Sequence, residues 1–110
     1  MGVGYLVDFG YRDSIDSIIL AMCRDYEERK RAISDKIFCR RTLMEYEYLN
    51  TRLSDAAKEI AGDDYEIYIK EIGSGIGYAR SLIEGVSEFE YKRTKKEVKI
   101  NIAKKLHLID

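Results

Sequence analysis

Between Tyr91 and Lys105 the chain sets Lys92, Arg93, Lys95, Lys96, Lys99, Lys104 and Lys105 against a single acid, Glu97. Cations at that density can displace counterions from a phosphate backbone. Arg93 also carries the planar fork that grips a guanine edge through two hydrogen bonds. Just upstream, Ser87-Glu88-Phe89-Glu90 has the form of a capping box, in which the serine hydroxyl and the glutamate three residues on satisfy each other's backbone N–H groups. A helix opened there presents free N–H groups and a positive dipole end, both of which suit phosphate. On a wheel of about 100° per residue, Tyr91, Val98, Ile102 and Leu106 share one face, and Lys92, Arg93, Lys96 and Lys99 share the other. The expected nucleic-acid-contacting set is therefore Arg80, Ser87, Glu88, Lys92, Arg93, Lys95, Lys96 and Lys99, with Lys70 as a further backbone clamp. Glu88 and Glu90 repel phosphate, so one of them is expected to accept a cytosine amino proton instead. The reading stands or falls on whether those lysines are free.

No other constellation promises chemistry. His107 is the sole histidine and lacks the partners that a triad or a zinc site requires. Cys23 and Cys39 have no metal-type spacing and read as small core residues on helical stripes, unlinked to one another. Gly73-Ser74-Gly75-Ile76-Gly77 lacks the lysine and hydroxyl ending of a phosphate-binding loop; it reads as a hinge or a tight approach between helices. Asp63-Asp64 reads as a helix cap. Tyr26, Tyr46 and Tyr91 fit core positions with a polar tip, and Tyr48, Tyr65, Tyr68 and Tyr78 fit half-exposed ones. The expectation is a protein without catalytic residues, cofactor or metal.

The elements that position these groups are helical. Proline is absent, so glycine supplies the punctuation. Asp13 or Ser14 can cap a first helix running to about Ile33, on which Ile15, Ile18, Ile19, Met22, Tyr26 and Ile33 recur at helical steps. Ser34-Asp35 is a weak break. Cys39, Leu43, Tyr46, Asn50, Leu53, Ala57 and Ile60 then form a heptad-like seam, and Gly62 closes it. A helix from about Asp35 to Ala61 would be roughly 40 Å long. Asn50, set in that seam, reads either as a device fixing the register of two copies or as an exposed polar residue. A third helix carries Tyr65, Tyr68, Ile69 and Ile72, a short one is expected over Ala79–Ile83, and the last runs from Ser87 to about Leu106. The run Tyr5, Leu6, Val7, Phe9, Tyr11 fits a strand, a helical turn or an arm, leaving the role of residues 1–13 open.

A chain of 110 residues can bury a core without metals or disulfides, and its 45% apolar and 35% charged residues suit helices with solvated faces. The net charge of −1 excludes a uniformly basic nucleic-acid coat, while the basic C-terminal stretch follows an acidic middle. No stretch approaches a membrane span and no cationic leader precedes the first apolar run, so a cytoplasmic, reducing setting is expected. The expected fold class is all-α, with long N-terminal helices as a hairpin or coiled-coil-like unit and a C-terminal helix-turn-helix. Residues 1–62 would form a dimerising or partner-binding module and residues 63–110 the DNA-binding module.

The pattern Ile72-Gly73, Gly77-Tyr78, Arg80-Ser81, Val86-Ser87-Glu88, Tyr91-Lys92-Arg93 and Ile102-Ala103-Lys104-Lys105-Leu106 resembles phage-encoded transcriptional regulators of the RinA/ArpU type. Arg40-Arg41-Thr42-Leu43, Tyr46 and Leu49-Asn50 resemble the N-terminal helices of such proteins. The resemblance implies a C-terminal helix-turn-helix similar to the promoter-reading region of sigma factors. It also implies a prophage or mobile element, and double-stranded DNA with RNA polymerase as partners. A recombination directionality factor acting with a site-specific recombinase is a second implication. A helical adaptor or inhibitor that binds no DNA is the rival from another class. The unusually glycine-rich loop departs from the family pattern.

Overall fold

A computed structural model describes residues 10–110, which are helical without a strand. The residues Tyr5 to Phe9 of the N-terminal apolar run lie outside the described residues. Among the described residues five α-helices follow one another: α1 Asp13–Arg24, α2 Tyr26–Asp35, α3 Arg40–Ala61, α4 Tyr65–Ser74 and α5 Glu88–Lys105. Single 3-10 turns occupy Gly62–Asp64 and Tyr78–Arg80. The all-α expectation holds.

The first helix expected over Ser14–Ile33 is two helices broken at Asp25 (φ −95°, ψ 7°). No proline or glycine causes this break. The Arg29 guanidinium supports it by donating to the Met22 carbonyl at 2.6 Å and to Asn50 Oδ1 at 2.6 Å. Asn50 in turn donates to the Tyr26 carbonyl at 3.1 Å. Arg29 and Asn50 are both buried, so the helix kink is stabilised by side chains reaching in from α2 and α3. Asn50 is therefore neither a register device between copies nor an exposed polar residue, because its amide is spent within the chain.

Lys36 takes the left-handed conformation (φ 53°) that ends α2, and α3 starts at Arg40, five residues later than expected. Gly62 ends α3 at φ 62°, as its type predicts. The helix α4 runs through Gly73 and stops at Gly75 in the left-handed region. Gly73 is the tight approach between helices: a Cβ there would lie 2.5 Å from the Arg24 backbone nitrogen at the end of α1.

The main core gathers Ile19 and Cys23 of α1, Tyr26 of α2, Leu53, Ala56 and Ala57 of α3, Ile69 and Ile72 of α4, and Val98, Ile102 and Ala103 of α5. Residues from both 1–62 and 63–110 thus share one core, and α5 packs most extensively on α3. A smaller cluster of Tyr68, Ile83 and Tyr91 seats the connection before α5. Tyr68 is buried there, against the half-exposed state expected of it.

Candidate functional surfaces

The capping box expected at the start of α5 is present, with Glu90 N–H donating to Ser87 Oγ at 3.1 Å and Ser87 N–H donating to Glu90 Oε1 at 3.2 Å. At the other end, Leu108 N–H reaches the Ala103 carbonyl at 2.9 Å and folds Leu108 back on the core. Tyr91, Val98 and Ile102 are buried, as the wheel required, with Leu106 packed at the edge of the core.

The short helix expected over Ala79–Ile83 does not form. After the 3-10 turn the backbone extends at Ser81 (φ −70°, ψ 148°). Buried Glu71 is the reason. Its carboxylate accepts from Ser81 Oγ at 2.7 Å, from Leu82 N–H at 2.6 Å and from Tyr91 OH at 2.7 Å, and Ser81 Oγ accepts from Ile83 N–H at 2.9 Å. Backbone donors committed to side chains are withdrawn from a helix. Burial pushes the Glu71 carboxyl up, but hydrogen bonds from Leu82, Ser81 and Tyr91 outweigh it and hold the group below the ordinary range. Burial, followed by the bond to Glu71, pushes the Tyr91 hydroxyl up to about 12, so it stays a neutral donor. Residues 75–87 therefore form a long, tethered connection between α4 and α5. A DNA-reading helix-turn-helix instead joins its helices by a turn of about 3–4 residues.

The cations of α5 divide sharply. Lys95 donates to the Ile76 carbonyl at 2.8 Å and lies over the Tyr91 ring. Lys99 pairs with Asp16 of α1 at 3.0 Å, and Lys105 pairs with Glu59 of α3 at 2.6 Å. Asn101 donates to the Ala56 carbonyl at 2.9 Å. Ile100 and Ala103, on the side of the helix expected to face solvent, are buried. The second half of α5 is thus covered on more than one face, by α1 and by α3. This corrects the expectation of a free basic face through Lys99.

The first half of α5 remains accessible. Lys92 forms a surface pair with Glu88 at 2.8 Å, Arg93 lies over the exposed Phe89 ring at 5.7 Å, and Lys96 is exposed. Arg80 and Lys70 are exposed on neighbouring elements. Glu84, Glu88, Glu90 and Glu97 are exposed among them. Five cations thus stand beside four acids on this surface.

A second surface was not singled out from the sequence. At the end remote from the α1–α4 contact, Ile37, Phe38, Met44 and Tyr48 are 65, 48, 58 and 51% exposed. Met44 and Tyr48 are neighbours on one face of α3, a turn apart. Shallow hollows flank Met44: one is lined by Arg40, Arg41, Glu45, Tyr48 and Leu49, another by Ile33, Lys36, Phe38, Arg40 and Leu43. Arg52 lies over the Tyr48 ring at 4.7 Å, and the Phe38 and Tyr46 rings meet edge to face at 5.8 Å. The aromatics are thus held in place beside open apolar surface. The legible signal was the seam itself: Met44 and Tyr48 lie off it, yet both are large and apolar.

Cys39 is exposed before α3 rather than in the core, while Cys23 is buried, and both are free thiols. Among the described residues no cluster of metal-ligating side chains occurs, and no helix is long and apolar enough to cross a membrane. Comparison with protein-family models, with curated proteins and with solved structures yields no match.

Proposed function

We propose that this chain is a small, non-catalytic helical interaction protein that works through the exposed α2–α3 end. The observation that carries the reading is the set Ile37, Phe38, Met44 and Tyr48, large apolar side chains left in solvent on one end of the fold. A contiguous apolar patch rimmed by charge marks an interaction surface. Lys95, Lys99 and Lys105, three of the cations that suggested a nucleic-acid function, are engaged by groups of the same chain.

A photo-cross-linking residue installed at Met44, and separately at Lys96, tests this in cells. The expected result is protein adducts from position 44. Adducts to nucleic acid from position 96, with none to protein from position 44, would overturn it.

A second reading, sequence-preferring DNA binding with transcriptional regulation or recombinase assistance in a prophage or mobile element, rests on Arg80, Lys92, Arg93 and Lys96. These cations are exposed at or near the start of α5, where Ser87 caps the helix. They suit weak backbone contact, with Arg93 the residue able to read a base edge.

A further inference from the structure

We infer that the occupant of the α3 face is a second copy of this chain, docked antiparallel about a two-fold axis at Leu43–Met44. The inference rests on the interaction reading above and names its partner.

The charges on this face of α3 are self-complementary. At about 100° per residue, Arg40 and Glu47 lie on one flank of Met44, and Arg41 and Glu45 lie on the other. A two-fold axis crossing α3 at Leu43–Met44 keeps each flank on its own side and reverses its direction. Arg40 then meets the partner's Glu47, and Arg41 meets the partner's Glu45. Symmetry makes each contact twice, as an isologous interface requires. The same operation sets Met44 against the partner's Met44. Tyr48 and Phe38, in hollows on opposite sides of Met44, each stay on their own side, so both border the Met44 pair inside a charged rim.

The helix N-terminus supplies an independent reason. The first turn of α3 holds Arg40 and Arg41, no acid and no side-chain cap, so cations sit at the positive end of the dipole. Among the described residues Arg41 has only a 3.9 Å pair with Glu45 on the surface, and Arg40 has no ion pair. The partner's acids would supply the missing negative charge. Nothing in this arrangement uses Asn50, which is buried and hydrogen-bonded to Arg29 and the Tyr26 carbonyl inside the chain.

The test is sedimentation of the purified full chain over a concentration series. The expected result is a reversible dimer of twice the 12.8 kDa chain mass. Arg40→Glu should weaken it by about tenfold or more, through like-charge juxtaposition with Glu47. Arg40→Glu combined with Glu47→Arg should restore it, a result that a merely structural role would not give. Met44→Cys in a Cys39→Ser background should oxidise to a disulfide-linked dimer. These sites are exposed, so circular dichroism should show an unchanged helix content in each variant. A monomer at every concentration overturns the inference. So does a dimer indifferent to the Arg40 and Glu47 reversals. The interaction reading survives either outcome if position 44 still gives adducts to another protein in cells.

Discussion

Asp16 near the start of α1 and Lys99 in the second half of α5 approach to 3.0 Å, and Tyr11 donates to the same Asp16 oxygen at 2.7 Å. The pair ties the first described helix to the last. It removes from solvent the cation expected to extend a DNA-contacting face. Burial pushes the Asp16 carboxyl up, but the bonds from Tyr11 and Lys99 outweigh it and leave the group below its ordinary value. Lys99→Ala is expected to cost about 1–2 kcal/mol in chemical denaturation, as a half-buried hydrogen-bonded ion pair would. It should leave any DNA affinity unchanged.

Salt dependence measures how many cations are available to a phosphate backbone. Five exposed cations, Lys70, Arg80, Lys92, Arg93 and Lys96, set an upper bound on the slope of log affinity against log salt of about −4.5 for duplex DNA. A steeper slope would show that Lys95 and Lys99 leave their partners on binding. Fluorescence anisotropy with a labelled duplex reads this directly.

Glu71 should govern acid stability together with Asp16. Both carboxyls are held below their ordinary values in the fold. A depressed folded value means that the stabilisation is whole above the unfolded value, about 4, and is lost as pH falls below it. Thermal unfolding between pH 6 and pH 3 should therefore show stability falling at the acid end. Glu71→Gln should flatten part of that fall. Glu71→Ala, which strands the Ser81, Leu82 and Tyr91 donors, should cost about 3 kcal/mol at neutral pH.

Gly73→Ala places a methyl group against the Arg24 and Cys23 backbone, where neither neighbour is a flexible side chain. The α1–α4 crossing must open to admit it. A loss of about 1–3 kcal/mol is expected by denaturant titration, larger than the gain in helix propensity.

The two thiols should separate under an alkylating reagent. Hydrogen bonds from Thr42, through its side chain and then its backbone, hold the exposed Cys39 thiol below its ordinary value. Burial pushes Cys23 up to about 12. One thiol should react in the native chain and the second only on unfolding, as mass spectrometry would record.

The helical class, the caps at Ser87 and Gly62, and the buried Tyr91, Val98 and Ile102 were legible because each depends on neighbours within a turn or two. The break at Asp25 was not, since it is held by Arg29 and by Asn50 from another helix. The lost helix after Tyr78 depends likewise on Glu71, eleven residues upstream of Leu82. The basic face is narrower than a helical wheel suggests, because a wheel assigns one whole side to solvent. Ile100, on the side counted as wet, was the signal that α5 is covered from more than one direction. The apolar residues of α3 were visible as types, but only the packing of α2 and α4 shows which of them lack a cover.

Backbone amide chemical shifts of the full chain, followed on dilution and again on adding duplex DNA at low salt, compare the two surfaces in one experiment. Dilution should move residues 37–48 strongly. Duplex should move only residues around Arg80 and from Glu88 to Lys96, and weakly. Large duplex-induced shifts there, with residues 37–48 unmoved by concentration or by any protein partner, would contradict the proposed function.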